Sequence, residues 1–291
     1  SGDDLFKTYY NASGVDNTAK FGGVNTIYGG TVTLDGSGSV TASSANGSDT
    51  VDYGVIVDNT YNIFADLEGV TANVEIRTGT TVIKADNVIN VNNAIGTSGN
   101  DIFRGNSFAN TLNGLGGNNT ALYTMAALTA GIVADLQAGE VTKTTASGTV
   151  KDTLINIQNV IGSNNKDIIA GNSQNNSLFG GLGDDTFIGS GGNDTLNGGD
   201  GIDVVSYASA TENLYIDLGV TTPVSIGTGY GTDTFISIEG AIGGSGNDTI
   251  KGTSGSNVLI GGDGDDTLLP NGNNGIDELD FIDGGSGTDF V

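Results

Sequence analysis

Every second residue is apolar in three stretches that align without gaps: YNIFADL (61–67), AGIVADL (130–136) and ENLYIDL (212–218). Under a period of two, Ile63/Ala65/Leu67, Ile132/Ala134/Leu136 and Leu214/Ile216/Leu218 each fall on one face, as in a half-buried strand. A Thr/Gly-rich segment of variable length follows each stretch. Variable length predicts a hairpin-like excursion that bulges from the body of the fold, where insertion costs little. A second aligned set comes next: DNVINVNNAIG (86–96), DTLINIQNVIG (152–162) and DTFISIEGAIG (233–243). The predicted unit is therefore strand, excursion, strand. Propensity alone permits a helix over 120–131, but alignment with the other two copies predicts a strand there.

A shorter period follows each unit. Five nine-residue segments run in tandem over 162–206: GSNNKDIIA, GNSQNNSLF, GGLGDDTFI, GSGGNDTLN and GGDGIDVVS. Their sixth positions are Asp167, Asn176, Asp185, Asp194 and Asp203. The first block (96–122) carries Asp101, Asn110 and Asn119 at that place and is the degenerate one. The third carries Asp248, Asn257 and Asp266, then an insertion around 270–274, then Asp280 and Asp289. The eighth positions are apolar: Phe103, Leu112, Ile169, Leu178, Phe187, Leu196, Val205, Ile250, Leu259, Leu268 and Ile282. They are predicted to stack in a narrow core between two walls of short strands. Glycine permits the tight and left-handed turns of a loop whose carbonyls face an ion, and the sixth residue adds a carboxylate. Hard oxygen donors of these two kinds suit calcium.

The glycine-glycine-x-glycine-x-aspartate-x-hydrophobic-x pattern of GGLGDDTFI and GGDGIDVVS resembles the RTX, or haemolysin-type calcium-binding, repeats. The resemblance implies an all-β fold: a right-handed parallel β-roll or β-helix solenoid with calcium-binding nonapeptide turns and β-hairpin excursions. Each nonad would form a six-residue loop and a three-residue strand, and successive nonads would alternate between the two sides. Calcium would then lie between loops stacked on one side. Carried onto this chain, Asp167, Asp185 and Asp203 share one edge, Asn176 and Asp194 the other, and Asp248 and Asp266 an edge opposite Asn257. The implied metal set is Asp101, Asp167, Gly181, Gly183, Asp185, Gly192, Asp194, Gly199, Gly201, Asp203, Gly244, Gly246, Asp248, Gly262, Gly264, Asp266, Asp280 and Asp289. The row Asp167/Asp185/Asp203 is expected to be the best filled, with a second site near Asp194 and a sparse row in the first block. Asn110, Asn119, Asn176 and Asn257 are expected to act as turn formers through side-chain hydrogen bonds. Asp86, Asp152 and Asp233, at a fixed offset outside the nonads, either cap a turn or complete a site at a block's edge.

Composition narrows the function classes. The chain has 291 residues, with 50 glycines and only 2 prolines, which favours a solenoid with frequent tight corners over one thick core. Lys+Arg total 9 against 34 Asp+Glu, a net charge of −25. That balance argues against nucleic acid and against an anionic membrane surface. Cysteine and histidine are absent, so no disulfide, thiolate site, HExxH motif or Ser–His pair can form. No stretch resembles a signal peptide or a membrane span. Ser1 falls inside an acidic stretch and Val291 just after a repeat aspartate, so the chain reads as a segment of a longer protein.

Four regions are expected: 1–95, a diverged solenoid region; 96–161, the degenerate block with its excursion; 162–242, the main calcium block with its excursion; and 243–291, a third block. Residues 1–95 read as β, with Thr/Val alternation in GGTVTLDGSGSVTAS and a repeat-like NGSDTVDY (46–53) whose Asp49 matches Asp203. The function expected is structural, not enzymatic. The chain would be a calcium-dependent self-assembling segment of a secreted bacterial cell-surface protein, either a surface-layer protein or a large adhesin, exported by type I secretion. The alternative is an accessory module of a secreted enzyme such as an alginate epimerase or lipase. Expected partners are calcium and either copies of itself or cell-surface glycans. For glycans, Tyr207, Tyr215 and Tyr230 are candidate stacking residues, weighed against ordinary strand aromatics.

Overall fold

The computed structural model describes residues 5–7, 26–28, 32–34, 40–42, 50–54, 59–68, 72–89, 91–270 and 280–291. Among the described residues every regular element is a strand, and no helix is long and apolar enough to cross a membrane. Asp49 and the inserted residues 271–274 lie outside the described residues. The chain forms two compact units: Ser1–Thr129 with Gly139–Asn159, and Ala130–Ala138 with Val160–Val291.

In the first unit, Thr50–Asp52, Asn93–Ile95, Thr111–Asn113 and Gly148–Ile155 lie side by side in parallel. A second sheet pairs Tyr61–Asp66, Ile102–Arg104 and Thr120–Leu122 in parallel. The nonads of the first block thus alternate between sheets, one step of nine residues crossing over and two steps returning. No helix forms over 120–131; Thr120–Leu122 is a strand, as the alignment with the other two copies predicts. The excursions are antiparallel. Tyr61–Asp66, Ala72–Thr78 and Thr81–Ile89 form a meander, and Glu140–Thr145 with Gly148–Ile155 a hairpin.

The second unit repeats the scheme at greater length. Val133–Asp135, Ile168–Ala170, Thr186–Ile188, Val204–Ser206, Gly240–Ile242, Val258–Asp263 and Phe281–Ser286 run parallel in that order. Another sheet joins Ser177–Leu182, Thr195–Asp200 and Gly231–Ile236, and Val224–Gly227 folds antiparallel on the last of these. A third sheet pairs Tyr215–Asp217, Thr249–Lys251 and Thr267–Leu269.

This is a parallel β-roll, and its core is the apolar pattern of the sequence. Ile63, Ala65, Leu67, Ile132, Ala134, Leu136, Leu214, Ile216 and Leu218 are all buried, as are the eighth residues from Phe103 to Leu268. Only Ile282, in the outermost strand of its sheet, is half-buried. Because each strand holds about three residues, a single inward side chain per turn carries the packing. Full burial of such a chain contributes about 1.5–3 kcal/mol.

Candidate metal centre

The loops between these strands stack as closely as the strands do. Gly199 and Gly201 adopt φ of +105° and +152°, a region that L side chains rarely enter. A Cβ on Gly199 would stand 2.1 Å from the carbonyl oxygen of Gly181, and one on Gly201 1.9 Å from that of Gly183. The carbonyls of loop 180–185 therefore point into loop 198–203. Loops 261–266 and 284–289 repeat the arrangement, with Gly262 O and Gly264 O against Gly285 and Gly287. The first glycine of each loop has a different reason. A Cβ on Gly180, Gly198 or Gly261 would lie 2.1–2.2 Å from Oδ2 of Asp185, Asp203 or Asp266 respectively. The missing side chain is where the carboxylate rests.

The sixth residues form continuous rows. The backbone N–H of Asp167 donates to Asp185 Oδ1 (2.8 Å) and that of Asp185 to Asp203 Oδ1 (2.7 Å). On the other edge Asn176 N–H donates to Asp194 Oδ1, and Asp194 N–H to Asp233 Oδ1. Farther along, Asp248 N–H donates to Asp266 Oδ1, Asp266 N–H to Asp289 Oδ1, and Asn257 N–H to Asp280 Oδ1. One carboxylate oxygen per aspartate is thus fixed by the neighbouring turn.

The second oxygen divides the set. In Asp101, Asp167 and Asp248 it accepts the N–H of Thr97 (2.7 Å), Ser163 (2.5 Å) and Gly244 (2.7 Å), closing the residue's own loop. In Asp194 it accepts the Ser190 hydroxyl at 3.0 Å. In Asp185, Asp203 and Asp266 it is buried and accepts no hydrogen bond. The cause is local. Gly181 and Gly199 pair with each other in strands, as Gly262 does with Gly285, and their amides make no hydrogen bond to the carboxylate oxygen. A buried acceptor with no donor costs roughly 1–3 kcal/mol, more when charged. Burial, reinforced by neighbouring acids, raises Asp185 to about 7 and Asp203 to about 6. Burial also raises Asp101 to about 6, and shifts Asp167, Asp194, Asp248 and Asp266 upward.

A divalent cation fits this chemistry. Among the described residues no three acidic side chains converge on one point, so an ion here would be held largely by main-chain carbonyls with one or two carboxylates. Calcium accepts that mixture of oxygens. Gly192 stacks on Gln174 O, and Gly246 stacks on Glu212 O, so the remaining glycines of the expected set also stand in stacked loops. The four asparagines close their loops through side-chain hydrogen bonds. Asn110, Asn176 and Asn257 accept the N–H of Asn106, Asn172 and Thr253, while Asn119 Nδ2 donates to Gly116 O and Asn156 O.

Several residues join the rows from outside the nonads. Asp152 Oδ1 accepts the N–H of Asn110, and its Oδ2 meets Tyr123 OH (3.0 Å) and Lys143 Nζ (2.7 Å). Lys143, fully buried, also donates to Asn110 Oδ1, so a side-chain ammonium occupies the acid-lined end of that row. Asp233 Oδ2 accepts Tyr207 OH at 2.6 Å, and burial raises this carboxyl to about 7. Asp152 and Asp233 therefore each accept the N–H of a row's last sixth residue at the block's edge, and the side chain of Asp86 lies outside the described residues. The glycan-stacking reading of Tyr207 is overturned, because its ring is wholly buried and Tyr230 packs edge-on against it. Tyr215 is exposed and accepts Lys251 Nζ at 2.7 Å. The one sequence signal for Tyr123 and Tyr207 is their shared place directly after the last strand of a block.

The RTX calcium-binding nonapeptide repeat family (4 copies of the repeat) matches residues 95–121, 161–196, 170–205, 242–279 and 279–291. No curated protein matches the chain.

Proposed function

From the premise that this is an RTX repeat protein, whose repeats bind several calcium ions, we propose that it is a calcium-stiffened structural segment of an exported bacterial cell-surface protein, of the surface-layer or adhesin kind. The observation that carries this reading is the buried, unpartnered Oδ2 of Asp185, Asp203 and Asp266 on stacked loops. Calcium bound there supplies positive charge between carboxylates that otherwise face one another at about one strand spacing, ~4.8 Å. On this reading Asp185 and Asp203 hold the strongest sites, with Gly181 and Gly183 offering carbonyls; Asp266 and Asp289 form a second group with Gly262 and Gly264. The chain's part is to fix each carboxylate through the N–H of the preceding turn and to keep water from the loop interior.

Only 36% of residues are hydrophobic, so burial alone weakly offsets the repulsion and the entropy of ordering glycine loops. Metal binding then becomes folding free energy. Affinities of extracellular modules, about 10⁻⁴–10⁻³ M, suit a chain that stays extended inside the cell and orders outside it. Electron microscopy and circular dichroism with and without calcium test the proposal. Ordered sheets or filaments that dissolve on chelation, together with loss of the β spectrum, are expected. Monodisperse particles in calcium would leave an accessory module of a secreted enzyme as the better reading.

A further inference from the structure

We propose a calcium site outside the nonapeptide repeats, between loop 198–203 and the turn 237–239, with Glu239 as its closing carboxylate. The repeat family matches nothing between 206 and 241, yet this turn continues the row of Asp167, Asp185 and Asp203. Asp203 N–H donates to Glu239 Oε2 at 3.0 Å, as Asp185 N–H does to Asp203 Oδ1. Ser237 takes the place of a loop's first glycine. A Cβ on Gly198 would lie 2.1 Å from Ser237 O and 2.2 Å from Asp203 Oδ2. One turn earlier, Gly180 has Gly198 O and Asp185 Oδ2 around the same point. Glu239, one methylene longer than aspartate, reaches the row from a turn far shorter than a nonad loop. Ser237 holds a positive φ of 48° to make that turn.

The other copy of this turn shows what the spot requires. In the first unit Asn156, also at positive φ (54°), and Gln158 stand where Ser237 and Glu239 stand in the second. Gln158 Oε1 accepts the N–H of Asn119. There the gap is bridged by an N–H donor: Asn119 Nδ2 donates to Asn156 O at 2.9 Å. In the second unit the amide nitrogen is replaced by Asp203 Oδ2, which is fully buried, faces Ser237 O and has no hydrogen-bond partner. A carbonyl and a carboxylate oxygen converging without a hydrogen between them call for a cation. Glu239, Asp184 and Asp200 add negative charge around Asp203. Oxygen-only donors of mixed charge select a hard divalent ion of calcium's kind.

The inference rests on the calcium-binding reading of the roll, and the test separates the two. Calcium stoichiometry is measured by equilibrium dialysis and titration calorimetry on the whole chain, with the β spectrum in saturating calcium as the check on folding. Glu239→Gln, which keeps an oxygen for Asp203 N–H, is expected to bind one calcium fewer per chain or to bind one at least about tenfold more weakly. Asp203→Asn with Glu239→Gln rebuilds the neutral pair of the first unit. It is expected to stay folded, lose the same ion, weaken the site shared with Asp185, and keep the ions near Asp266. Unchanged stoichiometry and affinity in Glu239→Gln would overturn the site while leaving the roll's calcium binding intact. A parent chain that binds no calcium at all would sink both readings.

Discussion

The backbone N–H of Asp185 donates to Oδ1 of Asp203, 18 residues on, at 2.7 Å. A side chain suited to hold an ion is thereby also a rung of the main-chain ladder. Removing the charge and removing the rung are different experiments, and the second should hurt more.

Asp203→Asn retains an oxygen for that rung and loses only the charge. The variant is expected to exceed the parent in chelator, where the charge is unneutralised, and to fall below it in saturating calcium. Asp203→Ala leaves the buried N–H of Asp185 without an acceptor and is expected to cost about 1–3 kcal/mol in both conditions. Urea melts with and without calcium read the contrast; equal losses for the two variants in chelator would contradict it.

Gly201 and Gly255 make a matched pair. Gly201 sits at φ +152° with Gly183 O 1.9 Å from any added Cβ, whereas Gly255 meets nothing closer than Thr253 Oγ1 at 3.8 Å. Gly201→Ala is expected to lose about 1–3 kcal/mol and to weaken calcium binding. Gly255→Ala should stay within about 0.5 kcal/mol of the parent. Thermal melts in calcium decide the comparison.

Acid should partly replace calcium. Asp185 and Asp203 rise from an ordinary 3.8 to about 7 and about 6 because burial disfavours their charge. A carboxyl raised on folding stabilises the metal-free roll fully below pH 3.8, and this stability is lost as pH rises through 6–7. Calcium needs the ionised forms, so its affinity climbs over the same window. The chelated chain is therefore expected to show more β structure at pH 5 than at pH 8, and half-saturation to need more calcium at pH 5. A flat profile in both would refute the assignment of these acids.

Lys143 marks a row that carries its own cation. Its ammonium lies 2.7 Å from Asp152 Oδ2 and 2.8 Å from Asn110 Oδ1, wholly buried. Lys143→Met leaves Asp152 buried without its partner, at about 3–5 kcal/mol. The loss should be the same with and without calcium, and Asp152→Asn added to it should recover part. Denaturant melts of the two variants provide the measurement.

The features that recur at constant spacing were legible beforehand. Alternation located the buried faces at Ile63/Ala65/Leu67 and its two counterparts, and the nine-residue period placed Phe187 and Val205 on one wall and Leu196 on the other. The same spacing put Asp167, Asp185 and Asp203 in one row. It did not separate Asp167 from the other two, because that difference lies in whether the second residue's amide folds back, as in Ser163, or joins a strand, as in Gly181. Asp152 and Asp233 stood out by their fixed offset, but the roles of Glu239, Tyr123, Tyr207 and Lys143 stayed hidden for another reason. Their contacts run across excursions of unequal length: Tyr207 lies 26 residues before Asp233, while Tyr123 lies 29 before Asp152. No fixed offset betrays them.

The rows have a direction. Among the described residues, the sixth residues from Asp101 to Asp266 offer their amides to a side-chain oxygen of the turn that comes later in the sequence. A chain delivered amino end first leaves each of these turns with an unmet N–H until a further 18 to 42 residues arrive. Delivered carboxyl end first, each arriving turn finds its acceptor already standing. The polarity of one hydrogen bond thus makes assembly from the carboxyl end a templated process and from the amino end a waiting one.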